Sequence, residues 1–187
     1  MDSPVLSKYL IAAIGLHSGW GGTGRTNERD ERDGLWQFHF ADGARCQLTY
    51  SDGVLHGRCD FFDADGAAEV GEFKDGELDG DFAAYDPTGR LTSHEQWMGG
   101  RLNGLRVSVD AVLNEIRRSH YVRGSKHGEE SVFAGDEFEI FTSGDMVRIV
   151  HGAYENGVKN GVWEYWHRDG APLKKEHWHH GELERVD

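Results

Sequence analysis

The chain repeats one short pattern, in which an aromatic residue is followed three places later by glycine. The pattern occurs six times, and in five of the six a second glycine follows four places after the first. Such periodicity indicates a tandem-repeat protein, whose repeats pack on their neighbours. A repeat of one aromatic residue, a turn and two glycines supplies a contact surface but no evident catalytic group. The pairs are Tyr50/Gly53, Phe73/Gly76, Trp97/Gly100, Tyr121/Gly124, Tyr154/Gly157 and Trp178/Gly181.

Turn and strand signals between these markers predict a β-hairpin in every repeat. Asp and Gly tolerate the positive φ of tight turns, which favours turns at the ADG, ADG, PTG and RDG segments. The stretches between turns alternate aromatic or β-branched residues with polar ones, which is the period of a half-buried strand. We therefore expect strand, turn, strand, with the aromatic-x-x-Gly-x-x-x-Gly segment as the connection to the next repeat. The turn glycines are Gly43, Gly66, Gly89 and Gly170.

The six repeated aromatic residues are expected to form one ladder. Because each ends the second strand of its hairpin at the same offset, stacked hairpins place the rings on one side, each covering its neighbour. Glu95 and Glu176 share a face with Trp97 and Trp178, which favours a single sheet with a thin core over a two-layer sandwich. The predicted fold is mostly β: an elongated, twisted, antiparallel sheet of about six hairpins.

Two segments are predicted along the chain. Residues 1–33 combine a short N-terminal helix, indicated by Ser3-Pro4 and spaced apolar residues up to Ile14, with a glycine-rich charged linker. Residues 34–187 form the repeat domain, whose first edge strand the helix would cover. The N-terminal segment lacks the basic start and small-residue cleavage site of an export signal, so the expected location is the cytoplasm.

Acidic residues dominate the composition and restrict the expected partners. The formal net charge is −13, and the stretch from Asp60 to Asp86 holds ten carboxylates against one lysine. Nucleic acid and anionic lipid require clustered Lys and Arg, so a basic protein partner is favoured over either. The alternative is a solvated acidic surface that serves solubility alone. The carboxylates of this stretch assigned to partner binding are Asp75, Glu77, Asp79 and Asp81.

One repeat is longer than the others. Its first glycines, Gly124 and Gly157, are 33 residues apart, whereas the other spacings are 23 or 24. The extra residues lie within 129–156, where carboxylates alternate with aromatic and aliphatic residues. Insertions in repeat arrays often map to the binding face, although a lengthened hairpin packed on the sheet is the alternative. The residues assigned to partner binding are Asp136, Glu137, Phe138, Glu139, Phe141 and Asp145.

The sequence lacks a complete catalytic or cofactor-binding motif. Gly15-Leu-His-Ser-Gly19 resembles a nucleophile elbow but has His17 at the position that requires serine. His177 and His179 could share a strand face, yet no third ligand follows at a metal-site spacing, so exposed histidines are expected. Cys46 and Cys59 are expected to be reduced, core-facing thiols. We therefore predict no enzyme, no cofactor and no metal.

The repeat resembles the MORN-repeat variant of the YwqK-like antitoxin family. The strongest likeness is Tyr154-Glu-Asn-Gly157-Val-Lys-Asn-Gly161-Val-Trp163-Glu-Tyr165-Trp166, and the resemblance covers about residues 34–184. Arg106 and Glu130 depart from it, because other repeats place an aromatic residue or cysteine there. The resemblance implies an immunity protein that neutralises a secreted polymorphic toxin, for which a nucleic-acid-targeting toxin would supply a basic partner. An intracellular scaffold or interaction module is the alternative, since fold does not fix function.

Overall fold

A computed structural model describes residues 22–135 and 146–187. Every regular element in those ranges is a strand, and the fourteen strands lie in chain order in one antiparallel sheet, which confirms the mostly β prediction. The helix predicted near the N-terminus, at residues 3–14, lies outside the described residues. The strands are β1 (Thr23–Thr26), β2 (Arg32–His39), β3 (Arg45–Ser51), β4 (Val54–Phe62), β5 (Ala68–Lys74), β6 (Glu77–Tyr85), β7 (Leu91–Met98), β8 (Arg101–Asp110), β9 (Glu115–Val122), β10 (Ser125–Ala134), β11 (Val147–Glu155), β12 (Val158–Trp166), β13 (Pro172–His179) and β14 (Glu182–Val186).

The chain divides into two compact units. Unit 1 extends to Arg90 and includes Trp97–Gly100, while unit 2 comprises Leu91–Gln96 and Arg101–Asp187. Unit 1 therefore contains β1 to β6, unit 2 contains β8 to β14, and β7 contributes residues to both. Strand β1 falls in the segment that the sequence assigns to a linker, and it pairs with β2 in the antiparallel sense.

Each aromatic-x-x-Gly segment forms a two-residue hairpin turn. Between β3 and β4 the turn consists of Asp52 and Gly53, whose φ angles are 47° and 81°. Two consecutive positive φ angles are characteristic of the type I′ turn, and the five other short turns have them as well. The prediction that the whole aromatic-x-x-Gly-x-x-x-Gly segment connects two repeats is thus wrong. The connection ends at the first glycine, and the second glycine belongs to the following strand. Gly57, for example, lies within β4 with a φ of 101°, where the pairing with β3 shifts register.

The turns predicted at Gly43, Gly66, Gly89 and Gly170 are confirmed. Each glycine has a positive φ and donates its N–H to the carbonyl oxygen three residues earlier. An aspartate carboxylate stabilises each turn by accepting backbone N–H groups; Asp86 Oδ1 accepts those of Thr88 at 2.9 Å and Arg90 at 3.0 Å. From β2 onward, short and long turns alternate along the chain. Within each unit, therefore, short turns occupy one edge of the sheet, the short-turn edge, and long turns occupy the other, the long-turn edge.

Aromatic residues alternate with leucines in the core of unit 1. Tyr50 and Phe73 are 6% and 4% exposed, and their cross-strand partners are Leu55 and Leu78. Successive ladder rings lie two strands apart, about 9.6 Å, which exceeds the range of ring stacking. A leucine from the intervening strand fills that space, so the rings do not form the continuous stack that the repeat pattern suggested.

The second glycine of each repeat lies opposite the next ladder aromatic. Each of these glycines has a φ between 77° and 120°, a backbone conformation that side chains disfavour. At none of them would the nearest atoms to an added Cβ belong to a ladder ring, so the backbone conformation, and not ring packing, requires glycine. The pairs are Gly34 with Tyr50, Gly57 with Phe73, Gly104 with Tyr121, Gly128 with Tyr154 and Gly161 with Trp178.

Hydrogen bonds join the short turns of successive hairpins. In each, the N–H of the turn glycine donates to a carbonyl oxygen in the strand that follows the preceding short turn. The acceptor lies two residues after the preceding turn glycine, which keeps the hairpins in one register. The bonds are Gly76 to Leu55 at 2.9 Å, Gly100 to Leu78 at 2.9 Å, Gly124 to Leu102 at 2.8 Å, Gly157 to Lys126 at 2.8 Å and Gly181 to Lys159 at 2.9 Å.

The two cysteines are free thiols in the core of unit 1, as expected. Cys46 is 1% exposed and Cys59 is 2% exposed. Burial raises the pKa of Cys46 to about 12 and that of Cys59 to about 11. Both thiols are therefore protonated at neutral pH and behave as small apolar side chains.

Candidate interaction surface

The acidic residues predicted to bind a partner fall into two groups. Those of the insertion lie outside the described residues, namely Asp136, Glu137, Phe138, Glu139, Phe141 and Asp145. The others belong to the β5–β6 turn and to β6, namely Asp75, Glu77, Asp79 and Asp81. Asp75 is the first residue of its turn, and its carboxylate lies 3.5 Å from Nδ1 of His56 with 82% of the side chain exposed. Asp75 and Glu77 are thus exposed carboxylates on the short-turn edge.

Asp79 has a structural contact that the sequence did not suggest. Its carboxylate accepts the N–H of Gly99, the first residue of the next short turn, at 3.0 Å. Asn103 accepts the N–H of Arg123 in the same way at 3.2 Å, and Asn160 accepts that of His180 at 3.2 Å. A side-chain acceptor three residues after a short-turn glycine therefore caps the next short turn, and the carboxylate of Asp79 has this structural role.

The insertion leaves the short-turn edge of its hairpin unchanged, although the β10–β11 pairing shifts register between Val132 and Phe133. Strands β10 and β11 pair from Gly128 opposite Tyr154 to Ala134 opposite Val147. At the short-turn edge, Gly157 still donates to the carbonyl of Lys126 at 2.8 Å, as in the other repeats. The extra residues therefore lie in the connection between Ala134 and Val147, at the long-turn edge of unit 2. The sequence places the insertion within residues 129–156, and the strand bounds narrow it to the residues between Ala134 and Val147.

The connection that contains the insertion begins beside the β8–β9 turn, residues 111–114. The N–H of Gly135 donates to the carbonyl oxygen of Asn114 at 3.4 Å, and the side-chain amide of Asn114 donates to the carbonyl oxygen of Gly135. Arg168, from the β12–β13 turn, donates to the carbonyl oxygen of Leu113 at 2.7 Å and to Glu115 at 2.9 Å. Three connections of unit 2 thus meet at its long-turn edge.

The β8–β9 turn has an apolar tip. Val112 is 94% exposed and Leu113 is 53% exposed. Beside the tip lies an open cleft of about 380 Å³, whose lining includes the side chains of Asp110, Glu115 and Arg117. This repeat lacks the turn glycine that marks the other long turns, and the exposed tip was not predicted from the sequence.

A row of buried polar side chains crosses the core of unit 2. Glu95 is 3% exposed, and its carboxylate lies 3.0 Å from Nε of Arg106 on the next strand. The cross-strand partner of Arg106 is Ser119, which donates to Glu130 at 2.8 Å. Two residues after the second glycine, Cys59, Phe82 and Trp163 are apolar, whereas the two remaining repeats of unit 2 place Arg106 and Glu130 there. The two departures noted in the repeat pattern are therefore partners in one polar row.

Glu130 is the most heavily bonded member of this row. It is 2% exposed and accepts hydrogen bonds from Ser119, from Lys126 at 2.6 Å and from Arg117 at 2.5 Å. Burial opposes its ionisation, but the bonds from Lys126 and Ser119 and the nearby cations outweigh burial and lower its pKa. The carboxylate is therefore ionised and fully paired within the sheet.

A third buried carboxylate, Glu176, lies next to a lysine enclosed by aromatic rings. The Lys159 ammonium lies 4.3 Å from the ring centroid of Trp163 and 4.7 Å from that of Trp178, and it is 3.4 Å from the Glu176 carboxylate. Burial opposes the ionisation of Glu176, but hydrogen bonds from Lys174, Tyr165 and Trp178 lower its pKa to about 2. The cage is occupied by a side chain of the chain itself, so it holds β12 and β13 together.

The histidines near the C-terminal end contact one another and the Asp187 carboxylate. His177 Nε2 lies 2.8 Å from the Asp187 carboxylate, while the rings of His179 and His180 lie 4.4 Å apart. Within residues 22–135 and 146–187, no group of three or more His, Cys, Asp or Glu side chains is arranged to hold a metal ion.

Comparison with known proteins does not assign this protein to a class. No protein-family model matches the chain, and no curated protein is significantly similar to it. In the part of the chain that the structure describes, no helix has the length and apolar character needed to cross a membrane. The resemblance to MORN-type repeats rests on the spacing of its aromatic residues and glycines.

Proposed function

We propose that the chain is an array of six MORN-variant hairpin repeats and acts as an immunity protein inside the producing cell. It binds the basic domain of a secreted bacterial toxin by direct contact and performs no catalysis of its own. The insertion at the long-turn edge of unit 2 is the main contact surface. Asp75, Glu77 and Asp81 supply a second acidic surface in unit 1.

The observation that carries this proposal is the scaffold's independence of the insertion. The bond between Gly157 and Lys126 has the length found in shorter repeats, and β10 pairs with β11 up to Ala134 and Val147. The described strands on either side of the insertion therefore stack as they do in the shorter repeats. Loops placed on a rigid scaffold commonly carry binding residues, and aromatic side chains are enriched in protein interfaces.

The charge of the protein favours a basic partner. A net charge of −13 produces a field that attracts cations over about a Debye length, and the carboxylates of the insertion add to it locally. Complementary charge mainly raises the association rate, which matters when a toxin must be captured before it acts. The buried carboxylates Glu95, Glu130 and Glu176 do not contribute to this surface because they are paired within the sheet.

Charge reversal in the insertion provides the test. We expect D136K/E137K/E139K to lower the association rate with the toxin encoded beside this chain's gene by about tenfold or more at low salt. The matched control is E28K/E182K/E184K, which makes the same change in net charge at three exposed carboxylates elsewhere. Asp63 is unsuitable as a control because its carboxylate accepts the N–H groups of Asp65 and Ala67. Equal slowing by both triple variants, measured by surface plasmon resonance, would show that the insertion is not the contact surface.

A further inference from the structure

We propose that the β8–β9 turn is an apolar anchor, which inserts Val112 and Leu113 into a pocket of the protein partner. The anchor deepens the proposed immunity function and rests on it, because the partner is the same toxin domain. It extends the contact surface from the insertion onto the described scaffold.

The exposure of the tip distinguishes it from the other long turns. The four turns that contain Gly43, Gly66, Gly89 and Gly170 place Ala-Asp, Pro-Thr or Arg-Asp before the glycine. The β8–β9 turn instead places Val112 and Leu113 at its tip, 94% and 53% exposed. Among the long turns that the structure describes in full, the one with this apolar tip is also the turn that contacts the start of the inserted connection, through Asn114 and Gly135.

The tip is held in one conformation before it meets a partner. Asp110 Oδ1 accepts the N–H groups of Val112 at 3.0 Å and Leu113 at 2.9 Å. Arg168 fixes the carbonyl of Leu113, and Asn114 adopts the left-handed region with a φ of 54°. A turn with its backbone groups already bonded loses little conformational entropy on binding, which favours its use as an anchor.

The surroundings of the tip specify the chemistry of the pocket that receives it. The adjoining cleft of about 380 Å³ presents the carboxylate of Asp110, while Glu115 is paired with Arg168 and Arg117 with Glu130. A partner with an apolar pocket rimmed by Lys or Arg side chains would cover the tip and place a cation near the carboxylate of Asp110. Such an arrangement has the buried apolar centre and polar rim of protein interfaces.

Dissociation kinetics test the anchor separately from charge. We expect V112S/L113S to raise the dissociation rate of the toxin domain at least tenfold while changing the association rate less than threefold, because buried contacts act mainly on dissociation. The matched control is V162S/L173S, which alters a valine and a leucine of unit 2 that are 47% and 53% exposed. Thermal unfolding of both variants checks that they fold, and a photo-crosslinking residue at position 112, but not at 162, should attach to the toxin domain.

Each outcome has a distinct meaning. If wild-type protein does not bind the toxin domain, the proposed function fails and the anchor fails with it. If wild-type protein binds and V112S/L113S dissociates at the wild-type rate, the anchor alone is wrong. If sedimentation shows that the wild-type protein self-associates and V112S/L113S does not, the tip contacts a second copy of the chain, and the proposal is overturned.

Discussion

Replacing Glu130 with alanine is expected to lower the free energy of unfolding by about 3 kcal/mol, because it removes one partner from a buried ionic network. The carboxylate accepts hydrogen bonds from Ser119, Lys126 and Arg117, and its own side chain is 2% exposed. Without it, the hydroxyl of Ser119 is left buried without its acceptor, and the Lys126 ammonium loses its counter-ion beside the ring of Tyr154. Few domains are stable by more than a few times this amount.

Urea unfolding measures this change in the free energy of unfolding, and the neighbouring residue Glu129 provides the control. Glu129 is exposed, so E129A should change the free energy of unfolding by less than about 0.5 kcal/mol.

The folded-state pKa of Glu130 lies below its ordinary value of 4.5, so the stabilising effect of its charge is complete above that value. It is lost as the pH falls through the lower folded-state pKa. The difference between wild type and E130Q should therefore shrink below about pH 4.5, and a constant difference down to pH 2 would contradict the ionised network.

Replacing Gly152 with alanine is expected to cost about 3 kcal/mol, near the upper end for overpacked cores. A Cβ atom at this position would lie 2.2 Å from Cδ2 of Trp163, which is 2% exposed and has no space to move away. The indole is further fixed by its N–H, which donates to the carbonyl of Ala153 at 3.1 Å. The cost is steric, because the φ of Gly152 is not positive.

A double-mutant cycle shows whether the ring is the cause. In a Trp163→Leu background, Gly152→Ala should cost less than about 1 kcal/mol, giving a coupling of about 2 kcal/mol. Gly161→Ala is the control, because a Cβ there meets nothing within 4 Å, although the φ of 77° makes any side chain unfavourable. Its cost of about 1 kcal/mol should be the same in both backgrounds. Additive behaviour of Gly152→Ala and Trp163→Leu would contradict the packing of this ring on the glycine.

The hairpins and long turns could be predicted from sequence because their signals are local. Asp and Gly mark each long turn at fixed spacing, and the alternation of residues such as Trp163 and Tyr165 marks the strands. The short turns were misplaced for a physical reason: a glycine in the middle of a strand reads as a break. Gly57 occurs inside β4 because the chain adopts a φ of 101° where the β3–β4 pairing shifts register, and that shift becomes visible only once the pairing is known.

The candidate surface was harder to predict from the sequence than the hairpins, because its contacts join segments that are distant along the chain. Arg106 and Glu130 stood out as departures from the repeat, but their meaning depends on Ser119, which lies between them on β9. Asp79 was assigned to binding from its place in an acidic run, and its contact with the N–H of Gly99 could not be predicted because it joins two hairpins. The exposure of Val112 depends on where β8 ends, and strand ends are poorly defined by a hydrophobic pattern.

The most direct test of the immunity function is the rescue of cells that produce the toxin encoded beside this chain's gene. Co-expression of the wild-type chain should restore growth, and the two purified proteins should form a complex with a dissociation constant of roughly nanomolar order by calorimetry. Absence of both rescue and a complex would contradict the immunity function. Self-association of the chain on sizing chromatography, with no toxin complex, would favour an intracellular scaffold instead.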